Sequence, residues 1–165
     1  MLRPRRSEDL EPCVALLRDV HDADGYPTVW PADPASWLAG RDTLAAWVAE
    51  DDGGIVGHLA LHRISAARNG PPWRDALPVP VERLAVVSRF FVSTRARGQG
   101  VGGALMTRGE EHAAAHDLRL VLDVAAHDAA SIAFYQRRGW RRVGAGELAL
   151  SGDRGTLDVV VFVLD

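Results

Sequence analysis

Residues Arg97 to Gly103, Arg-Gly-Gln-Gly-Val-Gly-Gly, carry two overlapping spacings that can hold phosphate. Gly98, Gly100 and Gly103 satisfy G-x-G-x-x-G, and Arg97, Gly100 and Gly102 satisfy R-x-x-G-x-G. Successive glycines let the backbone approach a phosphate closely, and the N-terminus of a following helix supplies N–H donors and a partial positive charge. Arg95 and Arg97 can add charge-assisted bonds, or stand as solvated loop arginines. A Walker-type loop is excluded, because no Lys-Ser/Thr pair follows the glycines. Taken alone, the loop fits a dinucleotide, a different phosphate-bearing cofactor, or a turn with no ligand. Downstream, Tyr135 beside Phe134 on an amphipathic helical pattern reads as a core tyrosine.

The elements that must position these groups follow from hydrophobic spacing and turn chemistry. Met1 to Arg6 reads as a short strand, and Ser7 as the N-cap of a helix carrying Leu10, Val14, Leu17 and Val20. A loop rich in Pro, Gly and Asp spans Ala23 to Pro34 and carries Tyr26 and Trp30, and a short helix around Ala35 to Gly40 follows it. Leu44 to Glu50 and Ile55 to Ile64 flank Asp51-Asp52-Gly53-Gly54, the signature of a hairpin. Ser65 to Pro80 reads as a long loop, then Val81 to Val92 as a strand running into the glycines. A helix from about Gly100 to Asp117, a buried strand from Leu118 to Val124 and a helix capped by Asp128 and stopped by Gly139 come next. Two closing strands surround the turn Ser151 to Gly155.

This order, β-α-α-β-β-β-α-β-α-β-β, predicts an α/β fold with a central mixed, mostly antiparallel sheet of six or seven strands and helices on both faces. A dinucleotide fold would start at the strand before the glycines and need several further βα units. Only about 60 residues follow the loop, and they read as one strand, one helix and a hairpin. Asp123 does stand about 20 residues after the loop, where a ribose-binding acid belongs, but the topology weighs against that reading.

The 165 residues predict a single domain, and a 47% hydrophobic, 25% charged composition places it among ordinary globular proteins. A net charge of -3 gives no reason to expect a nucleic-acid or membrane partner. All basic residues are arginine, a side chain suited to bidentate phosphate contacts. Cys13 is the only cysteine, so no internal disulfide and no cysteine-based zinc site can form, and its place in an apolar helical pattern predicts a core residue. No signal-like or membrane-spanning run is legible, and a cytoplasmic location is the expectation.

Two segments together carry a family resemblance. "SRFFVSTRARGQGVGGALM" is similar to motif A of the GNAT superfamily of N-acetyltransferases, where a strand leads into R-x-x-G-x-G/A and then a helix. "HDAASIAFYQRRGW", His127 to Trp140, resembles motif B, N-x-x-A-x-x-x-Y-x-x-x-G-[F/W], with Tyr135, Gly139 and Trp140 at the matching offsets. The order of elements agrees along nearly the whole chain.

The resemblance implies an acetyl-CoA-dependent N-acetyltransferase acting on a primary amine of a small molecule or peptide, by direct attack in a ternary complex, without a metal. It assigns the pyrophosphate to Arg97, Gly98, Gln99, Gly100, Val101, Gly102 and Gly103, and the pantetheine arm to the backbone of Phe90, Phe91 and Val92. From motif B it adds Asp128, Ser131 and Phe134 as cofactor contacts and Tyr135 as the acid that protonates the departing thiolate. Tyr26 and Trp30 become walls of the acceptor site, with the Ser65 to Asp75 loop and its Trp73 as an opposite wall. A homodimer is a family habit.

The sequence departs from the pattern twice. Asp128 replaces the usual asparagine, and Val86 stands where many relatives carry a basic glutamate, six residues before Val92. Glu82, read as lying on the same strand and face as Val86, is one candidate base, and His58, His62 and a water chain are others. The missing glutamate also keeps open a non-catalytic acyl-CoA-binding or regulatory module.

Overall fold

The computed structural model describes residues 1–64, 71–150 and 152–165. Seven strands form one mixed sheet in the order β1-β2-β3-β4-β5-β7-β6. They are β1 (Leu2–Pro4), β2 (Thr43–Asp51), β3 (Gly54–Arg63), β4 (Leu84–Val92), β5 (Arg119–Ala125), β6 (Arg141–Ala149) and β7 (Thr156–Val163). The helices are α1 (Leu10–Asp24), α2 (Pro34–Ala39), α3 (Pro71–Ala76), α4 (Val101–Ala115) and α5 (Ala129–Arg137). The β4–β5 pair is parallel, while β1–β2, β2–β3, β5–β7 and β6–β7 are antiparallel. Parallel neighbours need a crossover, and α4 provides it. The mixed, mostly antiparallel sheet expected from the element order is therefore present, with seven strands.

The chain divides into two compact units, Met1–His62 with Val87–His112, and Arg63–Val86 with Ala113–Asp165. In the first, Cys13, Leu16, Leu17 and Val20 of α1 pack with Leu38 of α2, Val48 of β2 and Phe91 of β4. Their spacing on α1 is the i, i+3, i+4, i+7 stripe of an amphipathic helix, and burying each large aliphatic side chain stabilises the fold by about 1.5–3 kcal/mol. Gly57 of β3 lets α4 sit close, since a Cβ there would lie 2.8 Å from Leu105 Cδ1 and 3.1 Å from Val101 Cγ1. In the second unit, Trp73, Leu77, Leu84, Val86, Val121, Val161 and Val163 form a separate cluster.

Four expectations are corrected by local chemistry. A 3-10 turn, Ser7–Asp9, precedes α1, so Ser7 does not cap it. Asp9 ties that turn instead, accepting from the Arg6 N–H at 2.6 Å and from Arg3 Nη1 and Nη2 at 2.7 and 2.8 Å. The region read as one long loop holds α3 and the 3-10 turn Val81–Arg83, while residues 65–70 lie outside the described ones. Trp73 is a core residue of the second unit, where it packs in the cluster with Leu77 and Leu84 and does not line an exposed wall. Glu82 is exposed on the Val81–Arg83 turn and is not on β4. Arg83 N–H bonds back to Pro80 O at 2.9 Å, closing the Val81–Arg83 turn, so the strand starts at Leu84 and not at Val81.

Among the described residues, no helix is long and apolar enough to cross a membrane.

Candidate active site

The glycine loop belongs to the first unit. β4 ends at Val92, a 3-10 turn spans Thr94–Ala96, and α4 starts at Val101. Gly98 and Gly100 have φ of 73° and 82°, the left-handed region that costs an L side chain roughly 1–2 kcal/mol. A Cβ at either position would meet nothing within 4 Å, so conformation and not space demands glycine there. The reason is different at Gly102. A Cβ there would lie 3.3 Å from Phe90 Cζ and 3.6 Å from Val92 Cγ2, so its absence brings the first turn of α4 onto the end of β4.

The first intrahelical bond of α4 runs from Ala104 N–H to Gly100 O at 2.9 Å. The N–H groups of Val101, Gly102 and Gly103 therefore lie in the turn that has no intrahelical acceptor. The structure thus joins every loop residue named from the sequence, Arg97 to Gly103, to the N-terminus of a helix 15 residues long.

Both loop arginines are engaged by carboxylates. Arg95 makes a two-pronged ion pair with Asp51, which holds the Asp51 carboxyl below its usual range. Arg97 pairs with Asp24, the last residue of α1, and its Nη2 also lies 3.3 Å from Val92 O. Gln99 Nε2 donates to Arg95 O at 2.9 Å, bracing the loop internally.

Phe90 and Phe91 face opposite sides of β4. Phe90 packs beneath Gly102, and Phe91 enters the core between α1 and α2. Just before them, Arg89 has φ of 49°, an unusual value for a side chain of its size. His58 Nδ1 lies 2.7 Å from Arg89 O, and its ring stacks on Phe91 with centroids 5.2 Å apart. The carbonyl can only accept, so Nδ1 carries the proton. Nε2 then holds the lone pair and accepts from Arg5 Nη1 at 3.0 Å. His58 is fully buried, and desolvation pushes its pKa down to about 4. Its one basic nitrogen is occupied, which removes it from the candidate bases. His62, four residues along β3 on the same face, lies 2.8 Å through Nε2 from Arg89 Nη1. Sequence reasoning missed this pairing of two histidines with Arg89. The signal was an arginine inside an otherwise apolar strand end.

Tyr26 and Trp30 are held against the first unit's core. The Tyr26 ring lies 6.5 Å from Trp37 and 6.3 Å from Phe91. Trp30 has the Arg18 guanidinium 3.5 Å over its face and His21 at 5.3 Å. His21 Nδ1 donates to Pro27 O at 2.8 Å, closing the loop that bears both aromatics.

The motif B residues belong to the second unit. Asp128 caps α5, its Oδ1 accepting from Ser131 N–H at 3.0 Å and its Oδ2 from Ser131 Oγ at 2.6 Å. The cap explains the aspartate, since it needs only an acceptor. Tyr135 is buried, with rings of Phe134, Trp140 and Phe162 at 5.4, 5.8 and 5.9 Å. Val86, at the position of the missing glutamate, is a buried core residue.

A strand, a left-handed glycine loop and a helix N-terminus stand in a sheet whose one parallel pair among those described is β4–β5, a topology other than that of the dinucleotide folds. Residues 11–140 match the family described as "Acetyltransferase (GNAT) family", and the chain belongs to it. No curated protein matches the sequence. Among solved structures, NAA60 of Arabidopsis thaliana in complex with a bisubstrate analogue is 21% identical with a TM-score of 0.76, over 99% of this chain and 96% of that one. An N-acetyltransferase from Staphylococcus aureus Mu50 is 21% identical with a TM-score of 0.74, over 100% and 97%. A ribosomal-protein-alanine N-acetyltransferase from Brucella melitensis is 22% identical with a TM-score of 0.73, over 99% and 98%.

Proposed function

We propose that the chain is an acetyl-CoA-dependent N-acetyltransferase that moves an acetyl group onto a primary amine of a small molecule or peptide. The loop carries this reading, because two left-handed glycines deliver the backbone directly into the N-terminus of α4. That arrangement suits a pyrophosphate, which takes backbone N–H bonds and the helix field together. The structure of Arabidopsis NAA60 in complex with acetyl-CoA, with a TM-score of 0.76, supports the choice of cosubstrate. The ribosomal-protein-alanine N-acetyltransferase among the similar structures favours testing peptides that carry an alanine amine among the acceptors.

In the proposed reaction a neutral amine attacks the thioester carbonyl, and a tetrahedral oxyanion forms. A backbone N–H of Phe90 to Val92 stabilises that charge. The C–S bond then breaks with its electron pair on sulfur, and the Tyr135 hydroxyl donates a proton to the thiolate. The attacking nitrogen, positively charged in the tetrahedral intermediate, gives its proton to water, since the His58 lone pair is taken by Arg5 and Glu82 is on an exposed turn, and the Tyr135 oxygen regains a proton from solvent. Direct attack is favoured over an acetyl-enzyme, because the lone cysteine, Cys13, is fully buried and its thiol is pushed up to about 12. Asp128, Ser131 and Phe134 contribute contacts to the cosubstrate, and Tyr26 and Trp30 to the acceptor. The enzyme works in the cytoplasm.

A second reading, a non-catalytic acyl-CoA-binding module, is favoured by one observation, the buried Val86 in place of a basic glutamate. A library of amines and peptides assayed for CoA thiol release separates the two. Release with a defined acceptor supports the enzyme, and tight acetyl-CoA binding with no release from any acceptor supports the module.

A further inference from the structure

We infer that His58 is a positioning residue for the cosubstrate-binding end of β4, and that it acts through the carbonyl of Arg89. The inference rests on the acetyl-CoA reading of Phe90 to Val92, and it gives His58 the role of a fixed donor in place of that of a base.

β4 cannot reach its terminal geometry by regular extension. At Arg89 the backbone enters the left-handed region, and a non-glycine residue persists there only when its surroundings hold it. Two groups of neighbours do so. His58 Nδ1–H binds the Arg89 carbonyl at 2.7 Å, fixing the direction of the peptide between Arg89 and Phe90. The Arg89 side chain is tied separately, through Nε to Trp37 O and through Nη1 to His62 and, at 3.2 Å, Ser88 Oγ.

The donor is itself fixed. Arg5 Nη1 donates both to His58 Nε2 at 3.0 Å and to Leu38 O at 2.7 Å. An arginine cannot accept a hydrogen bond, so its approach to Nε2 enforces the Nδ1–H tautomer. The chain of donors therefore runs from Arg5 through His58 to the Arg89 carbonyl and ends at the peptide preceding Phe90. The His58 ring also stacks on Phe91 at an interplanar angle of 20°, so the same residue holds β4 at that peptide and again at Phe91. All of these groups lie within the first unit.

The consequence is directional. Correct aim of the Phe90 to Val92 backbone depends on a hydrogen bond from β3, and losing that bond should affect cosubstrate affinity before it affects acceptor affinity. His58→Phe keeps the ring stack and removes the donor, whereas His58→Asn removes the ring and places an amide N–H near the position of Nδ1. Both variants are first checked for folding by circular dichroism, and acetyl-CoA affinity is then measured by calorimetry. Weakening of about tenfold in His58→Phe, the scale set by one lost buried hydrogen bond, with substantial recovery in His58→Asn, is the expected result. Equal acetyl-CoA affinity in wild type and His58→Phe would overturn the inference while leaving the cosubstrate reading intact. Failure of the wild-type chain to bind acetyl-CoA would overturn both.

Should His58→Phe not fold, the wild-type chain gives the answer. Its His58 Nδ1–H proton resonance should shift when acetyl-CoA is added, and an unmoved resonance at saturating acetyl-CoA contradicts the inference.

Discussion

The Arg97 guanidinium closes on the Asp24 carboxylate, tying the loop before α4 to the last residue of α1. A carboxylate thus occupies the arginine that the proposed function assigns to a phosphate. Exposed pairs of this kind contribute roughly 0.2–1 kcal/mol. Asp24→Asn should therefore tighten acetyl-CoA binding by about two- to fivefold, and Arg97→Ala should weaken it. Calorimetry on the two variants checks both directions, and an Asp24→Asn that weakens binding would mean that Asp24 orients Arg97 and does not compete for it.

Gly100 should tolerate asparagine better than alanine. Its φ of 82° is accessible to Asn at lower cost than to Ala, and a Cβ there meets no neighbour. Gly100→Ala is expected to lose more acetyl-CoA affinity than Gly100→Asn, each with little change in melting temperature beyond the strain of about 1 kcal/mol. Equal losses would show that bulk at the loop matters and backbone conformation does not.

Tyr135→Phe should reduce kcat by about a hundredfold, the lower range for a general acid, with acetyl-CoA affinity within about twofold of wild type. The phenyl ring keeps the packing against Trp140 and Phe162. Glu82→Gln, on the exposed Val81–Arg83 turn, should leave kcat unchanged. Steady-state rates with one acceptor test the pair, and an unaffected Tyr135→Phe would remove the phenol from the mechanism.

Stability should fall with acid in two separable windows. His58 has a pKa lowered from 6.5 to about 4 by burial, so the native state binds fewer protons than the unfolded chain between those values. Its contribution, on the order of 3 kcal/mol, is full above pH 6.5 and is lost as pH falls toward 4. Asp9, held by Arg3 and lowered from 3.8 to about 2, adds stability that persists to lower pH and is lost as pH falls from 3.8 through 2. Urea titrations across pH 3 to 7 should show the upper slope in wild type and not in His58→Asn.

The elements that position the loop were legible because each has a local signature. The hairpin turn at Asp51 to Gly54, the Asp128 cap and the Gly139 stop needed no tertiary knowledge. Gly100 is readable as a loop glycine of the motif, and the left-handed φ of Gly98 adds a backbone reason that spacing does not show. The start of β4 at Leu84 is not legible, because the backbone bond that closes the Val81–Arg83 turn leaves no mark in the apolar pattern. Long-range partners left no trace in spacing. Nothing near Arg97 in sequence points to Asp24, and nothing near His58 points to Arg5 or to the carbonyl of Arg89. The absence of the strand glutamate was legible, whereas the buried packing of Val86 that replaces it was not.

Titration of the wild-type chain with acetyl-CoA and, separately, with NAD, read by calorimetry and by the shift in melting temperature, is the most direct measurement. Saturable binding of acetyl-CoA with a raised melting temperature, and neither effect with NAD, is the expected result. Binding of NAD in preference to acetyl-CoA, or of neither, would contradict the assignment of the Arg97 to Gly103 loop as a cradle for the pyrophosphate of acetyl-CoA.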